Sequence, residues 1–415
     1  MHLSKTLRLH LSGGSILIRL VDVGMTRSED IMKRYLMTPG PTPVPPAVLE
    51  SQARPMIHHR TPEFCETVRS CVSGLKEVLH TENDVIILAS SGTGAMESSI
   101  ANCFCAGDTV IVCYNGKFGE RMAKISEAYG LNVVELSYDW REVVDPADVE
   151  RALAEHSDAR GVILTQSETS SGVLNDVAAV GAVVAGHEDC VFIVDSITGV
   201  GAVELRTDDW NVDVVMTGSQ KGLMLPPGLA AVAISEKAWR ARERATLPRF
   251  YFDWRRYRKS LDADTTPFTP AVSLMHGLQV ALDIILEEGI EEVVARHDLL
   301  ARATRAGVEA LGLELFAPVE GRGSAVTTVL APEGVDSGKL VKIMKDDYGV
   351  TIAGGQDSYK GKIFRIGHLG YIGEFDIITT LAALEMALSD LGVDVESGKG
   401  IAAAEQVFME ARKNG

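Results

Sequence analysis

Three short segments hold residue types and spacings suited to covalent chemistry on a carbonyl group. The first is Thr217-Gly218-Ser219-Gln220-Lys221-Gly222, which follows the apolar run 212–216 and precedes Pro226-Pro227-Gly228. A lysine in a neutral, glycine-rich turn loses solvation of its charged form, so its pKa falls and the free amine can attack an aldehyde. An exposed loop lysine is the alternative. The second is Asp195, which ends the run 191–194 and precedes Ser196. A carboxylate at the C-terminal end of a buried parallel strand faces the crevice where α/β sheets bind ligands, and it needs a cationic or hydrogen-bonding partner when ionised. The alternative is a helix or loop cap. The third is Ser90-Ser91-Gly92-Thr93-Gly94-Ala95-Met96-Glu97, between an apolar run and a helical pattern. Glycines admit close approach of a ligand, and a helix N-terminus offers free N–H groups to a phosphate, although such segments also serve simply as turns. The segment is neither GxGxxG nor a Walker loop, which counts against dinucleotides and nucleoside triphosphates.

These segments need a scaffold that brings them together. Apolar runs at 85–89, 110–113, 133–136, 162–165, 191–194, 212–216 and 229–234 are mostly β-branched and lack polar alternation. Such runs are expected of strands buried on both faces. Between them lie helical patterns: after Thr61 and Pro62, a cap and first turn, Phe64, Val68, Val72, Leu75 and Leu79 recur at helical spacing. The reading is an α/β fold with a large domain built on a seven-stranded, mainly parallel sheet. Helices at 273–288, 291–311, 338–346 and 375–391, with strands at 325–330 and 362–366, predict a smaller C-terminal α+β domain. The large domain is placed at 31–270, and the linking helix with the small domain at 271–415. A last helical face, Ile401, Ala404, Phe408 and Ala411, is expected to pack on the small domain.

The chain has 415 residues and a formal net charge of −17. Its surplus of acid repels phosphate backbones and anionic headgroups, so neither a nucleic acid nor a membrane is expected as partner. No window approaches the 18 or more apolar residues of a spanning helix. Cys65, Cys71, Cys103, Cys105, Cys113 and Cys190 form no CxxC pair, which reads as reduced thiols of a cytoplasmic protein with no metal site. Residues 1–30 carry Lys5, Arg8 and Arg19 but no acid before Asp22. They are expected to be an extension, disordered or dispensable, since Met25 or Met32 could each begin a complete domain.

A phosphate cradle, an acid for a pyridinium nitrogen and a Schiff-base lysine are together the parts of a pyridoxal 5'-phosphate site. With them stand Thr38-Pro39-Gly40-Pro41-Thr42-Pro43-Val44-Pro45, Asn115-Gly116-Lys117-Phe118-Gly119, Glu168-Thr169-Ser170-Ser171-Gly172 and Arg365-Ile366-Gly367. In this order the segments resemble the class V, fold type I aminotransferases, in the alanine–glyoxylate or serine–pyruvate branch. The likeness runs from about Tyr35 to Leu391.

The resemblance implies that Lys221 forms the internal aldimine and shuttles the proton, and that Asp195 pairs with the pyridinium nitrogen. It implies phosphate binding by Thr93, Gly94 and Ala95 with support from Gln220, and a hydrogen bond from Ser170 near the phenolic oxygen. Phe118 would stack on the ring, where core packing is the other reading. Arg365 would grip the substrate carboxylate, a guanidinium fork being suited to that, and Gly40 would line the substrate pocket. Thr269 would reach the partner subunit's phosphate in a homodimer with shared sites. Thr266 stands where relatives often have tyrosine. His58, His59 and Arg60 are read as structural, and His368 as a satisfied polar residue. The implied reaction is ping-pong transfer of an amino group from alanine, serine or a similar amino acid to glyoxylate or pyruvate. Transamination of a phosphonate or other unusual amine is the alternative, as is a lyase or desulfurase on the same fold. Desulfurase-type relatives place histidine before the lysine and on the ring, so Gln220 and Phe118 favour transamination.

Overall fold

The computed structural model describes residues 6–11, 14–19 and 32–414. Residues Met1–Tyr35 and Leu36–Gly415 form separate units. In the first, Thr6–Leu11 and Gly14–Arg19 pair as an antiparallel hairpin. Most of the segment 1–30, read above as an extension, lies outside the described residues.

The second unit is built on the seven apolar runs. They form β1 (Asp84–Leu88), β2 (Thr109–Tyr114), β3 (Asn132–Ser137), β4 (Gly161–Thr165), β5 (Val191–Asp195), β6 (Val214–Gly218) and β7 (Ala230–Ile234). The spatial order is β1-β7-β6-β5-β4-β2-β3. Five strands run parallel with their neighbours from β6 to β3, and β7 is antiparallel to both β6 and β1. Both faces are covered: Phe192 and Val194 of β5 enter one core, and Val191 and Ile193 the other. Burial on both faces removes the polar alternation a half-exposed strand would show, which is why apolar runs identified the buried strands; β3, at one edge, is exposed or half-buried throughout.

The connections hold the helices that matter here. Helix α1 (Pro46–Gln52) follows the proline-rich entrance, and α2 (Pro62–Val78) begins where expected, with the Thr61 hydroxyl accepting from the Phe64 N–H. Helix α3 (Gly92–Cys103) follows β1, and α4 (Lys117–Ala128) follows β2. Parallel strands joined in this way bring all their C-terminal turns to one edge of the sheet.

Helix Val272–Glu288 leads to a three-stranded antiparallel sheet of β8 (Val326–Leu330), β9 (Ala353–Gly354) and β10 (Ile363–Gly367), ordered β8-β10-β9. The last helix, Lys399–Asn414, packs on Ile290–Ala310. The buried Glu385 carboxylate holds its start, accepting from the N–H groups of Gly398 at 2.7 Å and Gly400 at 2.9 Å. Among the described residues no helix is long and apolar enough to cross a membrane. All six cysteines are free thiols, and burial pushes those of Cys113 and Cys190 up to about 12.

Candidate active site

The turn after β6 carries Lys221, which is 8% exposed. Its Nζ donates to the Pro39 carbonyl at 2.6 Å. Burial lowers its pKa to about 8, with the nearby Asp195 charge opposing the fall. The entrance segment clamps this turn: the Thr42 N–H donates to the Gln220 carbonyl at 3.2 Å, and the Thr42 hydroxyl to the Lys221 carbonyl at 3.1 Å. Gly40 has φ +143°, and a Cβ there would lie 2.5 Å from the lysine nitrogen. Only a glycine admits both that backbone and that approach.

Asp195 ends β5 and is 3% exposed. Its Oδ1 accepts from the Ile197 N–H at 2.9 Å. Burial pushes the carboxyl up to about 7, with the Ile197 hydrogen bond and the Lys221 charge pulling it down. It forms no ion pair among the described residues.

Between these two groups lies a cavity of about 360 Å³, lined by Gly40, Pro41, Ser91, Gly92, Thr93, Met96, Phe118, Arg121, Ser167, Asp195, Ile197, Thr198, Gln220, Lys221 and Pro227. The start of α3 opens onto it without a side-chain cap, leaving the first backbone N–H groups to a ligand. Gly92 and Thr93 line the cavity, while Gly94 and Ala95 belong to the next part of the first turn, where the Gly94 N–H donates to the Ser91 carbonyl at 2.9 Å. The Gln220 Oε1 is buried without a hydrogen-bond partner.

Ser170 and Arg365 stand behind this wall. The Ser170 hydroxyl donates to Glu168 at 2.6 Å and accepts from the Lys117 N–H at 2.9 Å. Arg365, on β10, is 7% exposed and donates through Nε and Nη2 to the Gly354 carbonyl and through Nη1 to the Thr169 carbonyl. It has no ion pair among the described residues, and burial lowers it to about 10. A guanidinium carries five N–H groups, so one remains on each terminal nitrogen for an incoming carboxylate.

Other residues singled out from sequence fall elsewhere. Thr269 is exposed in a separate groove with Tyr251, Tyr257 and Met275. Arg60 donates to the Thr265 hydroxyl and the Thr266 carbonyl rather than to the cavity. His368 is wholly buried between the Thr327 hydroxyl and the Ser324 carbonyl. Sequence reasoning passed over Arg121, Ser167 and Thr198. Arg121 had a signal: it lies one turn beyond Phe118 on α4, so both face the same way. Its guanidinium is 4.9 Å from the Phe118 ring centre and donates to the Thr93 hydroxyl at 3.2 Å.

Residues 34–368 match the aminotransferase class-V family. The chain belongs to that family. It is 46% identical to the soluble hydrogenase small subunit of Synechococcus sp. over 91% of this chain and 99% of that one. It is 35% identical to the serine–glyoxylate aminotransferase of Methylorubrum extorquens over 91% and 96%. The crystal structure of pyridoxamine–pyruvate aminotransferase from Mesorhizobium loti superposes with a TM-score of 0.88 at 31% identity, covering 93% and 100% of the two chains. The class V aminotransferase is thus a fold type I protein, α/β with a large seven-stranded, mainly parallel sheet. The hydrogenase name belongs to the cyanobacterial relative; in this aminotransferase no group of three or more His, Cys, Asp or Glu among the described residues is placed to hold a metal ion.

Proposed function

We propose that this aminotransferase uses pyridoxal 5'-phosphate to move an amino group from a small amino acid such as alanine or serine to glyoxylate or pyruvate, in two half-reactions at one site. One observation carries the reading: a buried lysine and a buried carboxyl face one cavity, onto which an uncapped helix start also opens. The residues fit the cofactor. Thr93 and the first N–H groups of α3 would hold its phosphate, with Gly94 and Ala95 shaping the turn and the Gln220 side chain lining the same cavity, where its NH₂ could donate. Phe118 would stack on the ring, and Ser170 would lie near the phenolic oxygen.

When bound, the cofactor supplies an electron sink for the electrons left at the substrate's α-carbon. Lys221 would take the substrate's α-proton on its Nζ, a role suited by an amine lowered to about 8. Asp195 holds the ring nitrogen; a cationic nitrogen beside it would restore the ionised carboxylate that burial disfavours. Arg365 fixes the substrate carboxylate with its two remaining N–H groups, and Gly40 leaves room beside the lysine. The names of the relatives, which include serine, glyoxylate and pyruvate, support small substrates.

The same reading makes the working form a homodimer in which exposed Thr269 reaches the partner's phosphate, with lobes at 31–270 and 271–415 forming each half. Six free thiols support a cytoplasmic setting. The test is a visible spectrum of purified protein with added cofactor, followed by borohydride and peptide mapping. A band that borohydride fixes onto Lys221, and that alanine or serine bleaches in a single half-reaction, is expected. No band, or fixation elsewhere, refutes the assignment.

A further inference from the structure

Glu168 is wholly buried, yet it has no lysine or arginine within ion-pair distance among the described residues. Its two oxygens are instead saturated by four donors. Oε2 accepts from the N–H groups of Phe118 at 2.9 Å and Gly119 at 3.1 Å. Oε1 accepts from the Ser170 N–H at 2.9 Å and the Ser170 hydroxyl at 2.6 Å. The first pair are the opening amides of α4, whose own N-cap, Gly116, has no side chain. Glu168 therefore caps α4 from another segment, with a full negative charge at the positive end of the helix dipole. Gly116 must lack a Cβ because that atom would run into the Glu168 side chain.

The neighbours of Glu168 extend the connection. Ser170 also accepts from the Lys117 N–H, Ser167 lines the cavity, and the Thr169 carbonyl accepts from Arg365 at 2.9 Å. One carboxylate thus joins the aromatic platform on α4, the Ser170 hydroxyl and the turn whose Thr169 carbonyl seats Arg365. Its charge also reaches Lys221 and Arg365, favouring the charged form of each.

We propose that Glu168 is the positioning residue of this site: it locks the start of α4 so that Phe118 meets the cofactor ring at a fixed angle. The role rests on the reading that Phe118 stacks on pyridoxal phosphate. A glutamine at 168 could accept at one oxygen only and would turn its NH₂ toward two donors, so both the lock and the charge would go.

The experiment compares cofactor-loaded wild type, Glu168→Gln and Glu168→Asp by circular dichroism in the cofactor band and by pH titration of that band. Glu168→Gln is expected to lose at least about half of the induced signal and to move the midpoint acidward by about one pH unit, as loss of a nearby anion dictates. Glu168→Asp keeps the charge, so its midpoint should stay near wild type while the signal falls. A Glu168→Gln protein with wild-type dichroism and midpoint, even at a lowered Tm, overturns the role. Should that variant not fold, Glu168→Asp decides through its dichroism, and an unchanged signal overturns the proposal. A wild type that binds no cofactor instead overturns the site reading beneath it.

Discussion

The Lys221 ammonium donates to the carbonyl oxygen of Pro39 at 2.6 Å, across 182 positions of sequence. The entrance segment is thus the wall against which the nucleophile rests, and Gly40 beside it sets how near that wall can stand. Gly40→Ala would put a methyl group 2.5 Å from the lysine nitrogen on a backbone with φ +143°. We expect turnover to fall by about 10²-fold, the effect of misplacing a reacting group by about an ångström, with slower borohydride fixation at Lys221. Unchanged kcat in steady-state assays would separate the entrance from the lysine.

Arg365 predicts a split between the kinetic constants. The guanidinium is held by the Gly354 and Thr169 carbonyls and has no ion pair among the described residues. Lysine in its place would keep a charge but lose the fork, removing one charged hydrogen bond, worth about 1.5–3 kcal/mol. Arg365→Lys should raise KM for both amino and oxo acid by about 10- to 100-fold, with a smaller change in kcat. Equal KM values for wild type and variant would take Arg365 out of carboxylate binding.

Asp195 ties pH to stability in the cofactor-free chain. Burial raises its pKa from 3.8 in the unfolded state to about 7 in the folded one. Between those values the folded chain keeps a proton that the unfolded chain has released, so this group's contribution to stability falls as pH rises through the window and stays low above it. Asp195→Asn removes the penalty. The cofactor-free variant should therefore melt above wild type at pH 8, and the gap should shrink toward pH 5, while its affinity for the cofactor drops. Thermal scans at both pH values check the sign; a wild type more stable than the variant at pH 8 contradicts it.

The sheet was legible because six of its strands are buried on both faces, which forces apolar runs, while the edge strand β3 is exposed or half-buried along its length and shows a run broken by Glu135. Lys221, Asp195 and Thr93 were legible for a related reason: each follows such a run, and the C-terminal ends of parallel strands converge. Glu168 stood in a recognised segment, but its four donors come from two places in the chain and no spacing rule links them. Thr198 and Ser167 are common residues whose exposure to the cavity depends on tertiary packing. Arg365 was found as a candidate, but the backbone carbonyls that orient it lie on β9 and beside β4, beyond any local pattern.

His297 and His368 give an acid-stability prediction. In His297 the Nδ1 faces the Val293 carbonyl at 2.6 Å and the Nε2 accepts from the Gly370 N–H at 2.8 Å. His368 has the Ser324 carbonyl at Nδ1 and the Thr327 hydroxyl at Nε2, each at 2.9 Å. A carbonyl on one nitrogen fixes the Nδ1–H tautomer, and burial lowers both rings from 6.5 to about 3. As pH falls from 6.5 toward 3 the unfolded chain takes up protons that the folded chain refuses, so the stability these rings contribute is present above 6.5 and lost through that window. His368→Gln keeps a donor and an acceptor without titrating. In urea unfolding it should be less stable than wild type at pH 7, and the gap should narrow as pH falls to 5. A gap that stays constant would mean that His368 does not remain neutral in the folded chain over this range.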